Sequence, residues 1–244
     1  VEVAIEGDTP AAKRLAAIVA SSPSLACVER DGLLRVVPHA HDVTIHGVGG
    51  ESLTCPIARL STTLEACARA HRFAQVCETA PGLPEAARWQ VRCMRRHAGI
   101  DTELQGGELL EVGNRVWYEL VNDSLGSTTL YFNVVELRVD GLARVHNRDY
   151  AIAGRPTPSG HTRYFARELG SAAGHAIGWP SHTPADAIRE FTIVVVVSLR
   201  PLELHAIDHR SYEREPQRTV WRGGALRRGE GWASRVLRLR LAPS

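Results

Sequence analysis

The sequence contains no CxxC pair, no GxSxG, no HExxH, no Walker A loop and no GxGxxG. These absences exclude the metal knuckle, nucleophile elbow, zincin helix, phosphate cradle and dinucleotide turn that local spacing would reveal. The glycines at Gly47 to Gly50 and Gly170 to Gly174 have the wrong spacing for any of them. No sign of charge dominates either: 29 Lys and Arg stand against 27 Asp and Glu, a net of +2, which gives no grip on nucleic acid or another polyanion. The longest apolar run is far short of the roughly 20 residues of a membrane span, and no basic segment leads into an apolar one at the N-terminus. A soluble, cytoplasmic protein without nucleic-acid or membrane partners is the expectation. Five cysteines form an odd set, Cys27, Cys55, Cys67, Cys77 and Cys93. They fit buried free thiols in a reducing compartment better than a disulfide framework.

What the sequence does have is Phe191 to Ser198, in which Ile193 to Val197 are five consecutive β-branched residues closed by Arg200-Pro201. Such a run, too short for a helix, predicts a strand buried on both faces. A length of 244 residues admits two modest domains.

The pattern before residue 78 predicts a small α+β domain. Val1, Val3 and Ile5 alternate with polar or small residues, as in a half-buried strand. Thr9-Pro10 is a helix start, Leu15, Ile18 and Val19 give its apolar stripe, and Ser22-Pro23 ends it. Three extended pieces follow, Leu25 to Val28, Leu33 to Val37 and Asp42 to His46, and read as an antiparallel meander. Leu64, Cys67, Ala68 and His71 then share one helical face between Ser61 and about Val76.

Residues 79 to 85 carry Pro81, Gly82 and Pro84 and read as a linker. Residues 86 to 244 predict an all-β antiparallel sandwich. Its strands are expected around Trp89 to Cys93, at Arg115 to Asn122, Thr128 to Asp140, Leu142 to His146, Arg163 to Leu169, the Ile193 to Val197 run, and Arg235 to Leu241. The second and third are separated by Asp123 to Ser127, a loop of hairpin size, and are expected to pair as the central hairpin.

Candidate chemistry is sparse. His39, His41 and His46 are the one histidine cluster in the sequence; the first two could share a strand face, but no Cys or carboxylate triad accompanies them, so they read as strand-edge histidines. Cys67 and Cys93 fall on core faces, where a thiol is inert. Arg218, Arg222, Arg227, Arg228, Arg235, Arg238 and Arg240, with Trp221 and Trp232 among them, read as a solvated outer face. Trp179, in the loop GWPSHTP, reads either as packed or as part of a ligand cleft. The expected set of catalytic, cofactor and metal residues is therefore empty, with no cofactor.

The segments LEACARAHRF (Leu64 to Phe73), EVGNRVWYELVND (Glu111 to Asp123), LYFNVVELRVDG (Leu130 to Gly141), TIVVVVSLRPLEL (Thr192 to Leu204) and the strand from Trp232 to Leu241 follow one another in a familiar order. In that order and texture the chain resembles the C-terminal non-peptidase region of caspase-family (C14, metacaspase-like) proteins, over most of residues 64 to 241. The resemblance implies an accessory, regulatory or partner-binding region, not an enzyme, whose expected protein partner is an upstream caspase-like domain. The family's catalytic His-Gly and Ala-Cys-Arg/Gln-Gly contexts are missing, so any peptidase activity is expected upstream of Val1. A carbohydrate- or ligand-binding β-sandwich using Trp179 is the alternative expectation.

Overall fold

The described residues of the computed structural model are 1–146, 155–166, 174–202, 204–208 and 231–243. Among them β-structure predominates, with two α-helices. The chain opens on β1 (Glu2–Ile5) and enters α1 (Pro10–Ala20), where the Thr9 side chain accepts the Ala12 N–H at 3.1 Å and proline occupies the first turn. Leu15 and Val19 bury against the sheet as the chain returns to β2 (Ala26–Val28). Next come β3 (Leu34–Pro38), β4 (Asp42–Gly47) and β5 (Ser52–Pro56), giving a sheet of order β2-β1-β3-β4-β5.

The expected meander is displaced by one strand. β2 lies at the far edge and pairs with β1, not with β3; β1 is parallel to both neighbours, and the antiparallel meander is β3-β4-β5. The physical reason is α1: a helix connecting two strands of one sheet carries the chain back to its starting end, so the strands run parallel. Gly32 marks the return past β1, since a Cβ there would stand 2.6 Å from the Ala4 nitrogen.

α2 (Leu60–Glu78) serves two layers. Leu60, Leu64, Cys67 and Ala68 join the core of the first sheet, whereas Ala70, Phe73 and Cys77 join a second cluster with Val135, Val194, Val196 and Trp232. Residues 79–85 follow; within them Gly82 bridges to Trp232 and Leu83 packs on the main core.

The remaining strands are β6 (Trp89–His97), β7 (Ile100–Glu103), β8 (Leu109–Glu111), β9 (Arg115–Asn122), β10 (Leu130–Leu137), β11 (Ala143–Val145), β12 (Arg155–Thr157), β13 (His161–Phe165), β14 (His175–Ala176), β15 (Arg189–Ser198) and β16 (Trp232–Ala242). They make two sheets. One has the order β11-β10-β15-β16-β8, with β12 also on β10; the other runs β13-β9-β6-β7, with β14 also on β9. Val91, Cys93, Val116, Tyr118 and Leu120 of the second sheet share one core with Phe132, Val134, Ile193, Val195, Val197 and Leu239 of the first.

The β-branched run occupies the middle of β15, between β10 and β16. Its alternation resolves why both faces are apolar: Ile193, Val195 and Val197 point into the inter-sheet core, and Val194 and Val196 point to the layer containing α2.

Two sequence expectations need correction. β9 and β10 are not a hairpin: β9 pairs with β6, β13 and β14, and β10 with β11, β12 and β15, so the 123–129 connection passes from one sheet to the other. Asn122 holds that passage, its buried amide donating to the Thr128 and Thr157 carbonyls at 2.9 and 2.7 Å. The pairing is also not wholly antiparallel, because the short β8 runs parallel to β16. The strand expected at Arg163 to Leu169 is described from His161 to Phe165, and residues 167–169 lie outside the described ones. So do Arg218, Arg222, Arg227, Arg228 and Trp221. Trp232 is buried, while Arg238 and Arg240 face outward.

Candidate functional site

β10 shows an anomaly in its pattern. Leu130, Phe132 and Val134 point into the inter-sheet core, and the next residue on that face is Glu136, only 3% exposed. A buried carboxylate requires partners. They come from two places. β11 lies alongside β10 in antiparallel register, and His146 directly follows it, its N–H donating to the Val134 carbonyl at 2.9 Å. The Asp208 carboxylate accepts the neighbouring Val145 N–H at 3.1 Å and fixes this end of the strand.

The other partner arrives from the opposite sheet. His175 opens β14, which pairs with β9 through Val116. The residue before it, Gly174, has φ +99°, and a Cβ there would stand 2.9 Å from the Val116 carbonyl oxygen. Only glycine permits so close an approach in that conformation, and the approach delivers His175 to the core.

The three side chains meet at one point. The Nε2 atoms of His146 and His175 stand 2.6 and 2.5 Å from the same oxygen, Glu136 Oε1. The imidazole centroids are 4.1 Å apart with 37° between planes. His175 Nε2 donates a hydrogen bond to the carboxylate; His146 Nε2 stands at ion-pair distance from the same oxygen without hydrogen-bond alignment, and His175 Nδ1 has no hydrogen-bond partner among the described residues. Tyr118 packs its ring over His175 at 5.9 Å and 20°, with its own hydroxyl buried and unpartnered, and Phe165 closes the side against His146 at 6.2 Å.

Burial pushes the His146 imidazole down, towards its neutral form, with Glu136 pulling the other way. For Glu136, burial opposes ionisation, yet the two adjoining rings outweigh it and hold the carboxyl below the usual carboxylate range. An imidazole ligates through a ring nitrogen that has given up its proton, so an ion entering here displaces the proton that His175 Nε2 donates to Glu136. Among the described residues this is the one group of three or more His, Cys, Asp and Glu with ligand atoms converging, all within 4.8 Å of one another. Tetrahedral coordination at about 2.0–2.1 Å separates ligand atoms by about 3.3 Å, so the two distances from Glu136 Oε1 have to widen by under about 1 Å to take an ion.

The residues singled out from the sequence are elsewhere. His39 and His41 are exposed, His39 Nε2 lies 2.9 Å from Thr44 Oγ1, and His46 is half-buried on β4. Cys55, Cys67, Cys77 and Cys93 are buried, burial raising each thiol above its ordinary range; Cys27 is exposed, contrary to expectation, and all five are free. Trp179 is half-buried, packs on the inter-sheet core, and donates its Nε1–H to the Thr183 carbonyl at 3.0 Å.

Two cavities are relevant. The larger, about 340 Å³, lies between the first sheet, α2 and β10-β15-β16, where Arg138 is held by Asp140 at 2.8 Å and Arg238 by Glu78. The smaller, about 190 Å³, reaches Glu136 and is walled by Arg144, Trp179, Pro180 and Phe191.

No protein family, curated protein or solved structure matches this chain.

Proposed function

We propose that the chain is a metal-binding β-sandwich module, preceded by a small α+β unit, in which Glu136, His146 and His175 hold one divalent transition-metal ion. The observation that carries this reading is the convergence of three nearly buried ligand atoms, the Nε2 atoms of both histidines standing against the same oxygen of Glu136. Two imidazoles and a carboxylate suit zinc, and neutral histidine is the form that ligates. Glu136 and His146 belong to one sheet and His175 to the other, so the ion clips the two together.

The test is calorimetric titration of the chelator-treated protein with zinc chloride, followed by thermal unfolding. One equivalent is expected to bind and to raise the melting temperature, because a ligand selective for the folded state stabilises it by about 2.7 kcal/mol at a hundred times its dissociation constant. His146→Ala and Glu136→Gln are expected to lose that equivalent. Absence of stoichiometric zinc, or its retention by both variants, refutes the reading.

In this role the chain is a non-catalytic accessory or regulatory region beside a caspase-like domain, the place its sequence resemblance implies, in a cytoplasmic setting that suits five free thiols. The raised thiols of the four buried cysteines support the absence of a cysteine nucleophile. Peptide turnover by the purified chain that disappears on a single Cys→Ser change overturns that part. A ligand-binding role has its own support in Trp179, which lines the recess beside Glu136.

A further inference from the structure

Glu136 has a second neighbour that the metal cluster leaves unused. Arg144 sits directly opposite it in the β10–β11 register, so both side chains project from the same face of the sheet. Arg138, two residues along from Glu136, shares that face, but its guanidinium is tied to Asp140. Arg144 is half-buried, lines the 190 Å³ recess, and has no carboxylate or hydrogen-bond partner among the described residues. A guanidinium left unpaired at the edge of an apolar core is an anion-binding group, because its planar donors match the two oxygens of a carboxylate.

Apart from Glu136, Arg138 and Arg144, the side chains lining the recess are apolar. Ile177, Phe191 and Leu241 form its inner wall and Trp179 stands over one side. Its volume falls below the roughly 300–1,000 Å³ of sites for drug-sized molecules, which restricts the occupant to a small one. The recess also meets the cluster at Glu136 and touches neither histidine. An ion bound by three protein ligands keeps one position for an outside ligand, and of the two cavities described above this recess is the one with a ligand of the cluster, Glu136, in its wall.

We propose that this recess binds a small monocarboxylate with an apolar body, its carboxylate set between Arg144 and the open position of the ion held by Glu136, His146 and His175. The proposal rests on the metal reading above. It names the ligand class by charge and size: an anion for Arg144 and the ion, a few apolar carbons for Phe191 and Trp179, and no room for an oligosaccharide.

Cobalt separates the two claims. The chelator-treated chain is loaded with Co²⁺, whose visible absorption reports its coordination, and titrated with benzoate as the probe. The expected result is one equivalent of Co²⁺, a saturable change in the visible spectrum with benzoate, and a loss of benzoate affinity of about tenfold or more in Arg144→Gln at unchanged Co²⁺ stoichiometry and melting temperature. Arg144→Lys, which keeps the charge but loses the fork, is expected to fall between the two. If Co²⁺ binds and benzoate leaves the spectrum unmoved, or moves it equally in Arg144→Gln, the carboxylate site is wrong and the metal reading stands. If Co²⁺ itself does not bind, both fall together.

Discussion

A charge placed at Val194 tests the layered packing around β15 most sharply. Val194 is fully buried, with Val135 opposite on β10 and Val236 opposite on β16, and it faces the cluster that α2 supplies through Ala70, Phe73 and Cys77. Nothing cationic is paired with it across either strand. In Val194→Asp an uncompensated buried carboxylate costs about 3–5 kcal/mol, and the lost valine burial adds about 1.5–3 kcal/mol. Against a typical total of about 5–15 kcal/mol, that removes most or all of the stability.

The neighbouring position supplies the control. Val195 faces the inter-sheet core, but its partner on β16 is Arg235, so Val195→Asp has a cation within reach and is expected to be the milder of the two. Val194→Ala gives a measurable intermediate: two carbons at about 0.8 kcal/mol each, plus a cavity contribution, come to about 2 kcal/mol. For a chain of this size that lowers the melting temperature by about 4–8 °C. Urea unfolding followed by circular dichroism reads all three variants. A soluble Val194→Asp protein with unchanged melting behaviour, or one more stable than Val195→Asp, refutes the assignment of Val194 to the α2 layer.

Two further outcomes follow from the same contacts. Burial depresses the His146 pKa below the ordinary histidine value of about 6.5, so below that pH the unfolded chain binds more protons than the folded one, and stability of the metal-free protein falls as pH drops. His46 is shifted in the same direction, so the measurement is the difference in urea-unfolding slope between wild type and His146→Gln from pH 7.5 to 5.5; a variant with an equal or steeper loss removes His146 from the account. Limited proteolysis is expected to cut early within residues 79–86, where most side chains are exposed, yet the two pieces should co-elute on native size exclusion because α2 packs on both layers. Pieces that separate without denaturant contradict that packing, and first cuts elsewhere contradict the linker.

Local signals in the sequence carried the elements well and their partners poorly. β9 spans Arg115–Asn122 as its alternation indicates, and Thr9-Pro10 starts α1 where capping chemistry places it. These features depend on a few adjacent residues. The pairing of β9 with β6 and β13, in place of β10, depends on a crossing fastened by Asn122 to Thr157, 35 residues away, and no period in the sequence carries that information. In the same way, the 123–127 loop has hairpin length, but length permits a hairpin without requiring one.

The site divides along the same line. Glu136 was legible in principle: it continues the inward face set by Leu130, Phe132 and Val134, and an acidic residue at a core position is a conflict that functional sites tolerate and folding alone disfavours. Its partners were not legible. His146 reaches it across a strand register and His175 across the gap between sheets, by way of a close approach that Gly174 alone allows. The histidines near one another in sequence, His39, His41 and His46, lack a buried carboxylate to meet, whereas the two that meet one are separated by 28 intervening residues. Ligand sets assembled from opposite sheets leave no spacing motif, because the distance that matters is set by the packing of the layers and not by the chain between them.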